Sequence, residues 1–114
     1  MHEASIAASL LDIVLAECRK NGCSRIESIN LKIGRASGVM KDALIFAFDA
    51  MKAGSPANDA LLCIEEVPVT GLCDDCHSTF IAEQDYILVC PICGSGSFSM
   101  TGGRELDLVD MEVS

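Results

Sequence analysis

The sequence predicts an α+β protein: two helices on one face of a roughly three-stranded sheet, with a zinc-ribbon module inserted between two of the strands. Three observations carry this expectation. Two stretches repeat apolar residues at helical spacing, three others alternate apolar and polar residues, and two Cys-x-x-Cys pairs fall between the second and third of those alternating runs.

In chain order, residues 3–20 read as a helix. Ile6, Leu10, Ile13, Val14 and Cys18 recur at helical spacing, no Gly or Pro interrupts them, and Asn21-Gly22 supplies a stop. Its apolar face is expected on the sheet. Residues 25–34 alternate as a half-buried strand ending at Gly34, with the phase slipping by one around Ser28. Ser37 is expected to open a second helix over about 39–53, with Phe46 and Phe48 feeding the core and Gly54-Ser55-Pro56 stopping it. Residues 60–69 form the second strand and residues 105–113 the third. The domain organisation that follows is a helix–sheet body of residues 1–70 plus 104–114 and an inserted ribbon of residues 71–103. Pro68-Val69-Thr70-Gly71 and Gly102-Gly103 are the expected hinges of the insertion.

The inserted stretch carries the sharpest signal. Cys73-Asp74-Asp75-Cys76, thirteen residues, then Cys90-Pro91-Ile92-Cys93 present four thiolates at the spacing of a tetrahedral Zn²⁺ site. Two residues between paired cysteines let both sulfurs reach one ion, and Gly71, Pro91, Gly94 and Gly96 provide the turns. Four protein ligands leave no position for water, so the zinc would be structural. An iron centre uses the same ligands. A redox Cys-x-x-Cys pair would need one knuckle beside a βαβ pattern, which is missing here. Cys18, Cys23 and Cys63 read as small buried hydrophobes.

The formal net charge of −9 over 114 residues argues against a nucleic-acid partner, because phosphate neutralisation requires a basic face. The ribbon holds Asp74, Asp75, Glu83 and Asp85 with no Lys or Arg, the character of a protein-docking surface. Residues 1–17 carry Glu3, Asp12 and Glu17 and no basic start, so they do not read as a secretion signal. With the paired knuckles this points to the reducing cytoplasm. No apolar run reaches the length of a membrane span.

A second metal candidate is the terminus Met1-His2-Glu3. The α-amine, the amide nitrogen and imidazole of His2, and the amide or carboxylate of Glu3 can chelate one ion through fused rings. That nitrogen-rich, flattened coordination suits Ni²⁺ or Cu²⁺ better than zinc. The alternative is an idle, solvated terminal histidine.

The opening Met1-His2-Glu3-Ala4-Ser5, the segment Leu31 to Val39 followed by Leu44-Ile45-Phe46-Ala47-Phe48, the two knuckles and the closing Glu105-Leu106-Asp107-Leu108 together resemble the HypA/HybF family of hydrogenase nickel-incorporation proteins. The resemblance spans essentially the whole chain. It implies a nickel site at His2, helped by Glu3 and the Met1 amine, and structural zinc at Cys73, Cys76, Cys90 and Cys93. Met40 stands where some relatives carry an acidic residue, with Asp42 the nearest carboxylate. His77, the other histidine, reads as an exposed loop residue beside a saturated zinc site.

The resemblance further implies a metallochaperone carrying Ni²⁺ as exchangeable cargo to the large subunit of a [NiFe] hydrogenase, with a partner GTPase of hydrogenase maturation. Urease service and a homodimer, including a domain-swapped one, stay open. No nucleophile–base pair or phosphate-binding glycine loop marks an enzyme. The alternatives are an acidic zinc-ribbon adaptor without metal cargo and a thiol oxidoreductase with a reactive cysteine.

Overall fold

The computed structural model describes residues 3–114, so Met1 and His2, where the nickel expectation is centred, lie outside the described residues. The elements are α1 (Glu3–Lys20), β1 (Ile26–Gly34), α2 (Lys41–Met51), β2 (Leu61–Val67), β3 (Thr70–Cys73), β4 (Thr79–Ile81), β5 (Phe98–Gly102) and β6 (Leu106–Val113). They form two three-stranded sheets, in the orders β2-β1-β6 and β4-β3-β5. The predicted α+β class and its inserted ribbon are therefore present, and the ribbon has a sheet of its own. The chain divides into two compact units: one of residues up to Leu31, Val39–Ile64 and Leu108–Ser114, the other of Lys32–Gly38 and Glu65–Asp107.

In the first unit α1 buries Ala7, Leu10, Val14 and Cys18, a stripe spaced three and four residues apart, and packs against α2. Ile13, expected in that stripe, is exposed. It lies about 100° round the helix from Val14, outside the narrow stripe that Ala7, Leu10, Val14 and Cys18 bury. In β1 the buried residues are Ile26, then Ile29, Leu31, Ile33 and the closing Gly34. The parity changes between Ile26 and Ile29, where the alternation slips around Ser28. As the middle strand β1 is buried, whereas β6 leaves Leu106, Leu108, Val109 and Val113 exposed despite its regular alternation. An outer strand has a neighbour on one side only.

The start of α2 departs from expectation. Ser37 does not cap it; the Ser37 N–H donates to the Gly34 carbonyl (3.0 Å) in a turn that ends β1. The N-cap is Met40, whose side chain offers no cap. In a capping box a Glu at the third helical position would accept the N-cap N–H, but Ala43 stands there. The Glu3 carboxylate takes that role from outside the helix, accepting the Met40 N–H at 2.9 Å and tying the start of α1 to the start of α2. Of the two aromatics, Phe48 is fully buried and Phe46 is 77% exposed. Two residues apart on a helix is about 200°, so the pair cannot share a core face. The cysteines depart as well. Cys18 is buried but bonded to Cys23, and Cys63 is an exposed free thiol on an outer strand.

The segments expected to hinge are knit together by residues 34–36, all within the second unit. The Gly34 N–H donates to the Glu105 carbonyl (2.8 Å), the Arg35 N–H to that of Val67 (2.9 Å) and the Ala36 N–H to that of Gly103 (2.7 Å). Val69 is fully buried. A Cβ on Gly34 would lie 2.1 Å from the carbonyl carbon of Gly103, a contact that side chains do not survive. Gly34→Ala should therefore destabilise the protein by roughly 2–4 kcal/mol, read as a lower midpoint of chemical unfolding. An unchanged midpoint would show that the backbone crossing at Gly34 and Gly103 is not tight.

Candidate metal centre

The ribbon is built on β3. It pairs antiparallel with β4 (Gly71 opposite Phe80) and with β5 (Leu72 opposite Ser99, Cys73 opposite Phe98). The first knuckle closes the hairpin between β3 and β4, and the second lies in the longer excursion between β4 and β5. The two knuckles repeat one hydrogen-bond pattern. The Cys73 N–H donates to the Ser78 carbonyl (3.0 Å) and the Cys90 N–H to that of Ser95 (2.8 Å); the His77 N–H donates back to Cys73 (3.1 Å) and the Gly94 N–H back to Cys90 (2.8 Å). Each tight loop turns at its fifth residue, Gly94 at φ 79° and His77 at φ 60°. The left-handed region is free for glycine and costs a β-carbon-bearing residue about 1–2 kcal/mol.

The result is convergence of four sulfurs. The Sγ atoms of Cys73, Cys76, Cys90 and Cys93 all lie within 4.8 Å of one another, with Cys73 to Cys93 at 3.5 Å and Cys76 to Cys90 at 3.8 Å. Four sulfurs each about 2.3 Å from one Zn²⁺ at tetrahedral corners would stand about 3.8 Å apart, so the donor set fits zinc in both chemistry and size. Cys73 and Cys90 are buried against Phe80, with Ile87 and Phe98 packed around them. The Phe80 and Phe98 rings meet edge to face at 6.4 Å. Tyr86 and Leu88, large apolar residues of the ribbon's middle, are exposed. His77 is exposed too and stands outside the sulfur cluster, in keeping with its expected place as a loop residue.

The sulfurs differ in how they hold protons. The Ser78 backbone N–H, then its hydroxyl, favours the Cys76 thiolate and lowers that thiol to about 6. The Ser95 N–H acts the same way on Cys93. There the opposing effects of the Cys73 sulfur, burial, Cys76 and Cys90 prevail, and the Cys93 thiol is pushed up to about 12. Sulfurs this close cannot all carry charge by themselves, and a divalent cation removes the conflict.

Three of the four ribbon carboxylates have side-chain partners that the sequence reading did not assign. The Ser97 hydroxyl donates to Asp74 (2.9 Å) and the Ser95 hydroxyl to Asp75, so each aspartate of the first knuckle grips the far side of the second. Asp85 pairs with Arg35 at 2.9 Å. The signal for the first two was Ser95-Gly96-Ser97 directly after the second knuckle. Of the terminal candidates, Glu3 is described and its carboxylate bonds the Met40 N–H. Asp42, the other acidic candidate, is exposed in the first turn of α2.

Fold and site together define a metal-binding α+β protein with a four-cysteine ribbon. Residues 1–113 match the family described as "Hydrogenase/urease nickel incorporation, metallochaperone, hypA". The chain belongs to that family of nickel-incorporation metallochaperones. It is 41% identical to the hydrogenase maturation factor HypA of Rhizobium leguminosarum bv. viciae and 40% identical to that of Paracoccus denitrificans, each alignment covering 99% of both chains. Among solved structures it is similar to the Ni metallochaperone HypA from Helicobacter pylori, with a TM-score of 0.67, 32% identity and coverage of 99% of this chain and 97% of that one. A second HypA solution structure gives a TM-score of 0.73 at 30% identity, covering 100% and 97%.

Two outcomes follow from the knuckle geometry. Cys73→Ser should lose zinc, measured by elemental analysis, and collapse the amide dispersion of the ribbon while α1 and α2 keep their helical signal. A ribbon that stays dispersed without metal would contradict this. His77→Gly should stabilise the zinc-loaded protein by roughly 0.5–1 kcal/mol in chemical unfolding, since glycine takes the left-handed turn without strain. Destabilisation would mean that the imidazole holds a contact of its own.

Proposed function

We propose that this chain binds Ni²⁺ at Met1-His2-Glu3 as exchangeable cargo and passes it, with a GTPase of hydrogenase maturation, to the large subunit of a [NiFe] hydrogenase. The zinc at Cys73, Cys76, Cys90 and Cys93 is structural in this reading. The observation that carries it is the family match, which runs through the terminal segment to residue 113. The chemistry of the ends agrees. Amine, amide and imidazole nitrogens of the first two residues offer the flattened field that Ni²⁺ favours, and a terminus supplies only part of the coordination sphere, so the ion can leave. Glu3 contributes its amide or carboxylate, and its bond to the Met40 N–H anchors the chain where the chelate begins. The four thiolates converge on their own site and do not compete for the cargo.

The functional division places nickel handling in residues 1–70 with 104–114 and zinc in residues 71–103. No helix among the described residues is long and apolar enough to cross a membrane, and both proposed partners are proteins. The protein acts by binding and transfer and is not an enzyme.

Untagged, zinc-loaded protein should bind one equivalent of Ni²⁺, and His2→Ala or an N-terminal extension should abolish that binding in calorimetry while the zinc content stays the same. Nickel binding indifferent to both changes would place the cargo elsewhere.

A further inference from the structure

We propose that Cys18 and Cys23 form a reversible thiol–disulfide exchange site for small-molecule disulfides of the glutathione class, operating independently of the zinc cluster. The site is made by the way α1 ends. The Cys23 N–H donates to the Cys18 carbonyl (2.9 Å) and the Gly22 N–H to the Arg19 carbonyl (3.1 Å), with Gly22 at φ 69°. These two bonds with a left-handed glycine are a Schellman ending, in which the residue after the glycine folds back on the residue five places earlier. An apolar contact normally fills that position. Here both residues are cysteines, their Cα atoms 5.0 Å apart and their sulfurs bonded. That separation falls inside the range a disulfide needs.

The two backbone hydrogen bonds bring the cysteines together without any need for the S–S bond, so opening that bond leaves the pair positioned to close again. The Cys23 carbonyl oxygen lies 3.3 Å from the Cys18 sulfur, where it would accept from that thiol on reduction. Cys18 is 2% exposed and Cys23 half-buried, which assigns Cys23 as the entering thiol and Cys18 as the resolving one. A cleft of about 320 Å³ opens beside Cys18, between the end of α1 and the exposed Leu108 and Val109 of β6. The charged side chains lining the cleft are Glu17 and Asp110, while Arg19, Lys20 and Arg25, three of the eight Lys and Arg residues, flank the pair in sequence and offset that negative charge toward an anionic disulfide. Disulfides of proteins in reducing compartments are mostly transient and redox-responsive, the behaviour expected of a pair that needs no backbone movement to open or close.

The exchange balances. The Cys23 thiolate attacks one sulfur of the oxidised small molecule, forming a mixed disulfide and expelling one thiolate. The Cys18 thiolate then attacks the Cys23 sulfur and expels the second. Two protein thiols become one disulfide, one small-molecule disulfide becomes two thiols, and the two protons pass to the leaving thiolates. The sulfurs of Cys73, Cys76, Cys90 and Cys93 converge on a site of their own and would be ligated in the zinc-loaded protein, and Cys63 is a free, exposed thiol.

The test equilibrates zinc-loaded protein, without nickel, in glutathione buffers from reducing to oxidising, followed by alkylation and peptide mapping. The expected result is that Cys18 and Cys23 together lose reactivity and two hydrogens as the buffer oxidises, recover both on reduction with dithiothreitol, and leave the zinc content unchanged. The amides of Gly22 and Cys23 should exchange about tenfold more slowly in the oxidised protein. Cys18→Ala should leave Cys23 carrying a lasting glutathione adduct; because Cys18 is buried, the wild-type mapping is decisive if that variant folds poorly. Alkylation of both residues in the most oxidising buffer, or oxidation only as zinc is lost, would overturn the proposal. Nickel takes no part in the assay, so its outcome is separate from that of the nickel reading.

Discussion

Four sulfurs held within 4.8 Å of one another are the constraint on which the ribbon depends. In the absence of a cation their charges repel, and one thiol is forced to keep its proton far into the alkaline range while its neighbour ionises early. A divalent ion turns that conflict into cohesion. The surrounding apolar set, Phe80, Ile87 and Phe98, is too small to hold three short strands alone. The serine hydroxyls that grip Asp74 and Asp75 then lock one knuckle to the other, so much of the ribbon's acidity serves its own architecture.

The features legible in the sequence were those set by local spacing. The limits of α1 and β1, the phase slip at Ser28 and the four zinc-spaced cysteines all follow from periodicities of two, three or four residues. What was not legible depends on partners far along the chain. Ser37 has the chemistry of a cap, but Gly34 claims it in a turn, and the acceptor that serves α2 comes from Glu3, 37 residues earlier. Phe46 and Phe48 look like a pair in one dimension and lie on opposite sides of a helix in three. The alternation of β6 marks a strand without saying that it would be an outer one. For Cys18 and Cys23 the signal was present, since an Asn-Gly stop flanked by cysteines five residues apart prescribes a Schellman ending that brings them together.

Both units of the chain put carboxylates to structural use. In the second, Arg35 reaches Asp85, and the knuckle aspartates are satisfied by hydroxyls. In the first, the Glu3 carboxylate supplies at the start of α2 what that helix lacks in its own sequence. In both places a carboxylate completes a backbone or turn that the local residues leave unfinished, and the excess of −9 is in part the residue of that practice.

The sheet order β2-β1-β6 has a bearing on how the chain folds. Strand β6 cannot reach β1 until everything between Val67 and Leu106 has been brought round, a long and entropically expensive detour. Zinc binding cross-links the interior of that detour and shortens the free chain that must be closed. The last strand closes that loop and is fastened at its end by the Ser24 and Arg25 N–H bonds to the Ser114 carbonyl. A cross-link inside the ribbon therefore lowers the entropic cost of closing a sheet to which its own residues do not belong.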